Sequence, residues 1–251
     1  VITPTALSGC ISFWDFQEPA GIPRVATGAQ ATILHEREGV VERAEGGVFG
    51  PWSARFNDGA RAHLFCPRNR AGALDRHGRG SAATVSVVAW VRRSPKTRPE
   101  CEAVAGIWGE TFGGRQYCLF LNLGIHQSSQ QVCGHVSGVG GPSFGYRYCM
   151  DSAIGATPVT FGTWHCTAFT YDGSHIRAYL DGQLDRRPRM NPYAYGLGLH
   201  DGQPEPCEFT VGAVHRHGEM GNHFSGDLGG LAIFDRCLRD DELARLATAK
   251  R

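Results

Sequence analysis

Two runs in the last third of the chain constrain its architecture more than any bulk property. Residues 163–183 read TWHCTAFTYDGSHIRAYLDGQ, and residues 224–235 read FSGDLGGLAIFD. Apolar and polar side chains alternate with period two in both, the repeat of strands with one buried face. The pairs Asp172-Gly173 and Asp181-Gly182 supply the positive φ that tight hairpin turns need. The pattern predicts a strand-turn-strand meander and a closing strand.

The rest of the chain extends the same plan. Strands are predicted at 9–16, 53–59, 84–91, 103–108, 116–123, 131–137, 146–150 and 209–213. The run from Val85 to Val91 is apolar almost throughout, which predicts a strand covered on both faces. Only residues 240–247 have a helical pattern, with acids in the first turn and a base later, as the helix dipole favours. Many strands, one terminal helix and no βαβ alternation predict an all-β, two-sheet antiparallel sandwich with a short C-terminal helix. No composition break divides residues 1–251, so one domain is expected.

Bulk numbers narrow the function classes. The 34 glycines and 13 prolines suit many turns, and a formal net charge of +1 gives no broad field for nucleic acid. No apolar run of about 18 residues exists to span a membrane. The first residues carry no signal-peptide features. The nine cysteines are dispersed with no CxxC pair, against a zinc ribbon or thioredoxin site. Buried free thiols and a partial set of disulfides both remain open.

The segments Ser12–Phe16, Arg55–Gly59, Val85–Val91, Tyr179–Gly182 and Phe224–Asp235, with Leu238 and the helix after it, occur in the order found in one family. The chain resembles the laminin G-like branch of the concanavalin A-like lectin/glucanase jelly rolls. The resemblance implies a jelly-roll sandwich that binds glycans on the concave face of one sheet. It also implies a secreted or cell-surface location.

Strand periodicity nominates the residues of that face. In 116–123, Tyr117, Leu119, Leu121 and Leu123 form an apolar side, leaving Gln116, Cys118, Phe120 and Asn122 on the other. In 131–137, Val132 and Val136 oppose Gln131, Cys133, His135 and Ser137. The polar side, with Arg115 at its mouth and Tyr146, Arg147 and Tyr148 following, suits an anionic sugar. Arginine grips a carboxylate or sulfate bidentately, and aromatic faces cover sugar C–H surfaces. A loop with Tyr193 and Tyr195 is a candidate cap for the groove, and the loops Val25–Phe49 and Cys66–Ala82 are long enough to wall it.

The same inventory could catalyse β-elimination of a uronic acid. Asn122, Gln131 or Arg147 would stabilise the enolate, with His135, Tyr146 or Tyr148 as base and acid. The Gln131-x-x-x-His135 spacing departs from the tighter Gln-x-His of alginate lyases. A glycoside hydrolase would carry paired carboxylates on one strand, and no Glu-x-Asp-x-x-Glu is present, so a lyase is favoured over a hydrolase. The leading expectation is recognition of an acidic polysaccharide. A polysaccharide lyase is the first alternative and an adhesion or protein-interaction module the second.

Two metal readings complete the list. His215, His217, Glu219 and His223 lie close together in sequence and could hold a transition metal. The resemblance also implies a structural calcium, with Asp58 and Asp227, joined by Asp15, as its candidate ligands.

Overall fold

The Asp-Gly pairs make the turns their sequence requires. In the computed structural model, which describes residues 2–111 and 113–249, Asp181 and Gly182 have φ of 53° and 79°. They close a two-residue loop with Leu180 opposite Gln183. Successive positive φ values match the right-handed twist of the flanking strands. Trp164–Tyr171 pairs with His175–Leu180 on one side and Val85–Arg93 on the other. Val85–Arg93 pairs in turn with the closing strand Gly226–Phe234. Trp52–Phe56 and Glu42–Glu45 extend this first sheet, and Cys10–Trp14 also pairs with the closing strand.

A second antiparallel sheet lies against the first. Its order is Ser152–Pro158, Gln131–Val136, Tyr117–Leu121, Glu102–Ile107, Phe209–Val211, His63–Cys66, Ile33–Arg37 and Arg24–Val25. Val85, Val87, Ala89 and Val91 from the first sheet meet Tyr117, Leu119, Leu121, Val132 and Val136 from the second in one apolar core. The result is the expected two-sheet sandwich.

The opposite face of the first sheet is covered as well. Val88, Trp90, Ala168 and Tyr179 pack with Leu243 and Leu246 of the helix Asp240–Ala247. The central strand is therefore buried on both faces, which is why it reads as unbroken apolar sequence. The helix starts on a firm cap. Glu242 accepts the Arg239 backbone N–H at 2.9 Å and two Arg236 guanidinium bonds at 2.8 and 2.7 Å. A fully buried ion pair, Arg93 to Glu102 at 2.6 Å, ties the end of a first-sheet strand to the start of a second-sheet strand.

Several expectations are corrected. Residues 146–150 form bends and irregular chain instead of a strand, and the strand comes next, at Ser152–Pro158. Ile33–Arg37 and Glu42–Glu45 are strands inside what reads as a loop. Charged residues on short outer strands hide the period-two signal while discouraging edge-to-edge pairing. Leu123 does not join the core face. Asn122, at φ 53°, ends the strand and sends Leu123 to the outer side with Cys118 and Phe120. No helix among the described residues is long and apolar enough to cross a membrane.

Candidate functional site

The outer face of the second sheet holds the candidate site, though not as the open polar surface that periodicity suggests. Phe120, Cys118 and Cys133 form an apolar patch with Trp108, Leu123 and Cys149. His135 lies in the same patch, its ring centroid 4.8 Å from Trp108 and 5.6 Å from Phe120.

A small hairpin, Val214–Arg216 with Glu219–Gly221, is laid beside this patch. It is held at two points: the Glu110 N–H donates to the His215 carbonyl at 2.9 Å, and the Ala103 N–H to the Asn222 carbonyl at 2.8 Å. The ladder between Glu102–Ile107 and Tyr117–Leu121 shifts register between Ala103 and Ala105. The neighbouring strand Phe209–Val211 pairs only as far as Ala105, and the hairpin takes up the Ala103 N–H beyond it. Gly109 lets the chain leave the strand close to Cys207: a Cβ there would sit 1.9 Å from its Sγ, which would have to move.

Between hairpin and sheet lies a pocket of about 210 Å³ lined by Trp108, Glu110, Arg115, His135, Tyr148 and Arg216, among others. Arg115 is 4% exposed. Its guanidinium makes one long bond to the Gly140 carbonyl at 3.4 Å and stands 4.0 Å from Glu110 Oε2. Its Nε has no partner among the described residues. Arg216 stands 3.8 Å from the same Glu110 oxygen and donates to Asn222 Oδ1 at 2.9 Å. Trp108 Nε1 donates to the other Glu110 oxygen at 3.4 Å. Two guanidiniums against one carboxylate leave the lining with one net positive charge.

Burial, reinforced by Arg115, drives His135 down to about 3, so its imidazole is neutral. The ring bonds to the Asp151 main chain, while Nδ1 has no partner. Tyr148 lies at the rim, and the Arg147 guanidinium sits 5.3 Å from its ring centroid.

Of the residues nominated from sequence, Arg115, His135 and Tyr148 thus converge, with Arg147 beside them. The others serve the scaffold or face solvent. Gln116 is fully buried. Its amide donates to Asp75 and to the Arg76 and His200 carbonyls, and accepts from Arg68. Asn122 turns the chain and donates to the Glu100 carbonyl at 3.4 Å. Gln131 accepts the Ser129 N–H at 2.7 Å. Tyr146 is exposed. Tyr195 is buried, its hydroxyl accepting the Gly138 N–H, and Tyr193 donates to Asp151 at 3.1 Å. The loop bearing these two tyrosines is thus packed onto the sandwich.

Sequence reasoning missed Trp108, Glu110 and Arg216. Trp108 and Glu110 just follow a strand end, where side-chain direction cannot be read from alternation. Arg216 stands between two histidines that drew attention as metal ligands.

The metal candidates are also dispersed. Among the described residues, no group of three or more His, Cys, Asp or Glu is arranged to hold a metal ion. Asp227 is gripped by Arg55 at 2.7 and 3.1 Å and by Arg92 at 2.7 and 3.0 Å. Asp58 accepts both the N–H and the hydroxyl of Thr97. The side chain of Asp15 accepts the Gln17 N–H at 3.4 Å. His215 pairs with Glu208 at 3.0 Å, while His217 and His223 line a separate pocket. Alternation along a strand placed His215 and His217 together, but His217 sits at the hairpin tip with φ 51°.

A family model described as the concanavalin A-like lectin/glucanases superfamily matches residues 70–244. No curated protein matches the chain. Among solved structures, Trypanosoma rangeli sialidase in complex with 2,3-difluorosialic acid is similar at TM-score 0.63 and 15% identity, over 97% of this chain and 33% of that one. Domain 4 of a GH43 extracellular arabinanase from Geobacillus stearothermophilus, in complex with arabinotriose, gives TM-score 0.58 and 14% identity over 95% and 98% of the two chains. Botulinum neurotoxin type C, whose cell entry is dependent upon interaction with two ganglioside molecules, gives 0.56 and 9% over 95% and 50%. This chain therefore spans about a third of the sialidase and half of the toxin chain. The preference for a lyase over a glycoside hydrolase is overturned, since the sialidase and arabinanase matches are to glycoside hydrolases. Burial adds a physical reason, because it leaves His135 too weak a base for proton abstraction.

Proposed function

The chain belongs to the concanavalin A-like lectin/glucanases superfamily, and from that premise we propose that it binds an acidic glycan, seating one carboxylate-bearing sugar ring in the pocket beside Trp108. The observation that carries this reading is Arg115: a buried guanidinium with an unpartnered Nε, set next to an indole. A buried donor left without a partner is costly, and a ligand carboxylate would satisfy it. The aromatic lining offers a surface for sugar C–H groups. Neutral His135 keeps an acceptor for a hydroxyl at Nδ1. The single net positive charge suits one carboxylate. The pocket is smaller than the roughly 300–1,000 Å³ of drug-sized sites, in keeping with one ring. Glycoside hydrolysis ordinarily uses two carboxyl groups across the scissile bond. Glu110 is the one carboxylate among the described residues lining this pocket, which supports binding over cleavage.

Calorimetric titration with uronic-acid oligosaccharides and their neutral counterparts tests the proposal. The acidic ligands should bind, and Arg216→Ala should weaken them by about 10- to 100-fold, the weight of a charge-assisted contact. Arg115→Met should abolish binding. Equal affinity for neutral and acidic sugars would overturn the assignment of the pocket. Binding to a protein partner with no glycan bound would favour the interaction-module reading.

A further inference from the structure

Arg216 lines a second pocket on the other side of the hairpin, of about 160 Å³, walled also by Arg61, Arg98, His223, Glu100 and Glu219. The two pockets differ in kind. No Trp, Tyr or Phe is among the described residues lining the second, so it lacks a platform for a sugar ring and suits a small charged group. Its carboxylates are already engaged. Glu219 pairs with Arg61 at 3.1 Å, and Glu100 accepts the Asn222 and His223 N–H groups at 3.0 and 3.3 Å while facing Lys96 at 3.5 Å.

Two groups are left without partners. Arg98 makes no side-chain bond or ion pair with any described residue. His223 is 8% exposed, and neither ring nitrogen has a hydrogen-bond partner; the nearest charge to its Nδ1 is Glu100, at 3.6 Å. A buried imidazole with neither nitrogen hydrogen-bonded, facing a pocket with three guanidiniums, suits an oxyanion.

We propose that this second pocket is an anion subsite for a sulfate ester on the glycan, so that the ligand is a sulfated acidic oligosaccharide lying across Arg216. The proposal rests on the glycan-binding reading of the first pocket. A sulfate presents several oxygens at once, for Arg98, an N–H of His223 and the remaining donors of Arg216 and of Arg61, which Glu38 at 2.8 Å and Glu219 at 3.1 Å also hold. Burial holds His223 below the ordinary histidine range, so near neutrality it supplies one N–H and no full charge. Sharing Arg216 requires the two anionic groups to lie close together, as on one sugar or on adjacent units.

The test titrates the full chain with two uronic-acid oligosaccharides that differ only in O-sulfation. The sulfated ligand should bind about tenfold tighter. Arg98→Ala, which removes an exposed and unpartnered side chain, should erase most of that gain and leave the unsulfated affinity within about twofold. Equal affinity of the pair for the unaltered protein would overturn the subsite while leaving the glycan reading intact. So would a sulfate preference that survives Arg61→Ala combined with Arg98→Ala. If neither oligosaccharide binds, the glycan reading fails, and the subsite is then judged with inorganic sulfate. A saturable shift of the His223 imidazole resonances, lost in Arg98→Ala, supports it. No shift overturns it.

Discussion

An imidazole wedged between an indole and a benzyl ring is easy to mistake, in sequence, for a catalytic base. The alternation that put His135 on the outer face of its strand was right. Nothing in the alternation shows that Trp108 and Phe120 enclose the ring there. Enclosure lowers its folded pKa to about 3 from an ordinary value of 6.5. The unfolded chain therefore takes up the proton first. This contribution to stability is fully present above about pH 6.5 and is lost as pH falls toward 3, at about 1.4 kcal/mol per pH unit. His135→Phe, which keeps a ring in place, should flatten the acid side of a Tm-versus-pH curve. An unchanged acid limb would contradict the buried neutral state. Gln116 teaches the same lesson: a polar residue at a strand start can serve four scaffold contacts instead of a ligand.

Strands and their links were legible to different degrees. The helix 240–247 and the meander 163–183 were readable because local chemistry alone dictates them: acids at a helix start, Asp-Gly at a two-residue turn. The use made of Asp227 was not. It was read as a calcium ligand, yet it joins three neighbouring strands by binding Arg55 and Arg92. These partners are 172 and 135 residues away in sequence, so no spacing rule reports them. Asp227→Asn should cost roughly 1–3 kcal/mol in urea unfolding, as for a buried carboxylate that loses its charge-assisted hydrogen bonds. Glu242→Ala should cost about 1 kcal/mol, since it removes the helix cap and a bidentate Arg236 contact. A change below the error of the measurement in either variant would show that the contact is dispensable.

The molecule is held together without cross-links. All nine cysteines are free thiols, six of them buried, and several have their pKa pushed up to about 11 or 12 by burial. Reductant should therefore leave Tm unchanged, and the six buried thiols should react with Ellman's reagent only after unfolding. A drop in Tm on reduction would reveal a disulfide. The sequence by itself determined the architecture, because burial on one face or two, turn chemistry and helix capping are written in residues near one another. The tertiary structure alone decided the site. Trp108 and Arg115 lie in one link between two strands, while Arg216 comes from a hairpin about a hundred residues further on, and the pocket forms where the Val214–Gly221 hairpin is held against the sheet through Ala103 and Glu110. The meander 163–183 is scaffold, while the pocket arises where desolvation and distant contacts act together, and neither has a signature along the chain.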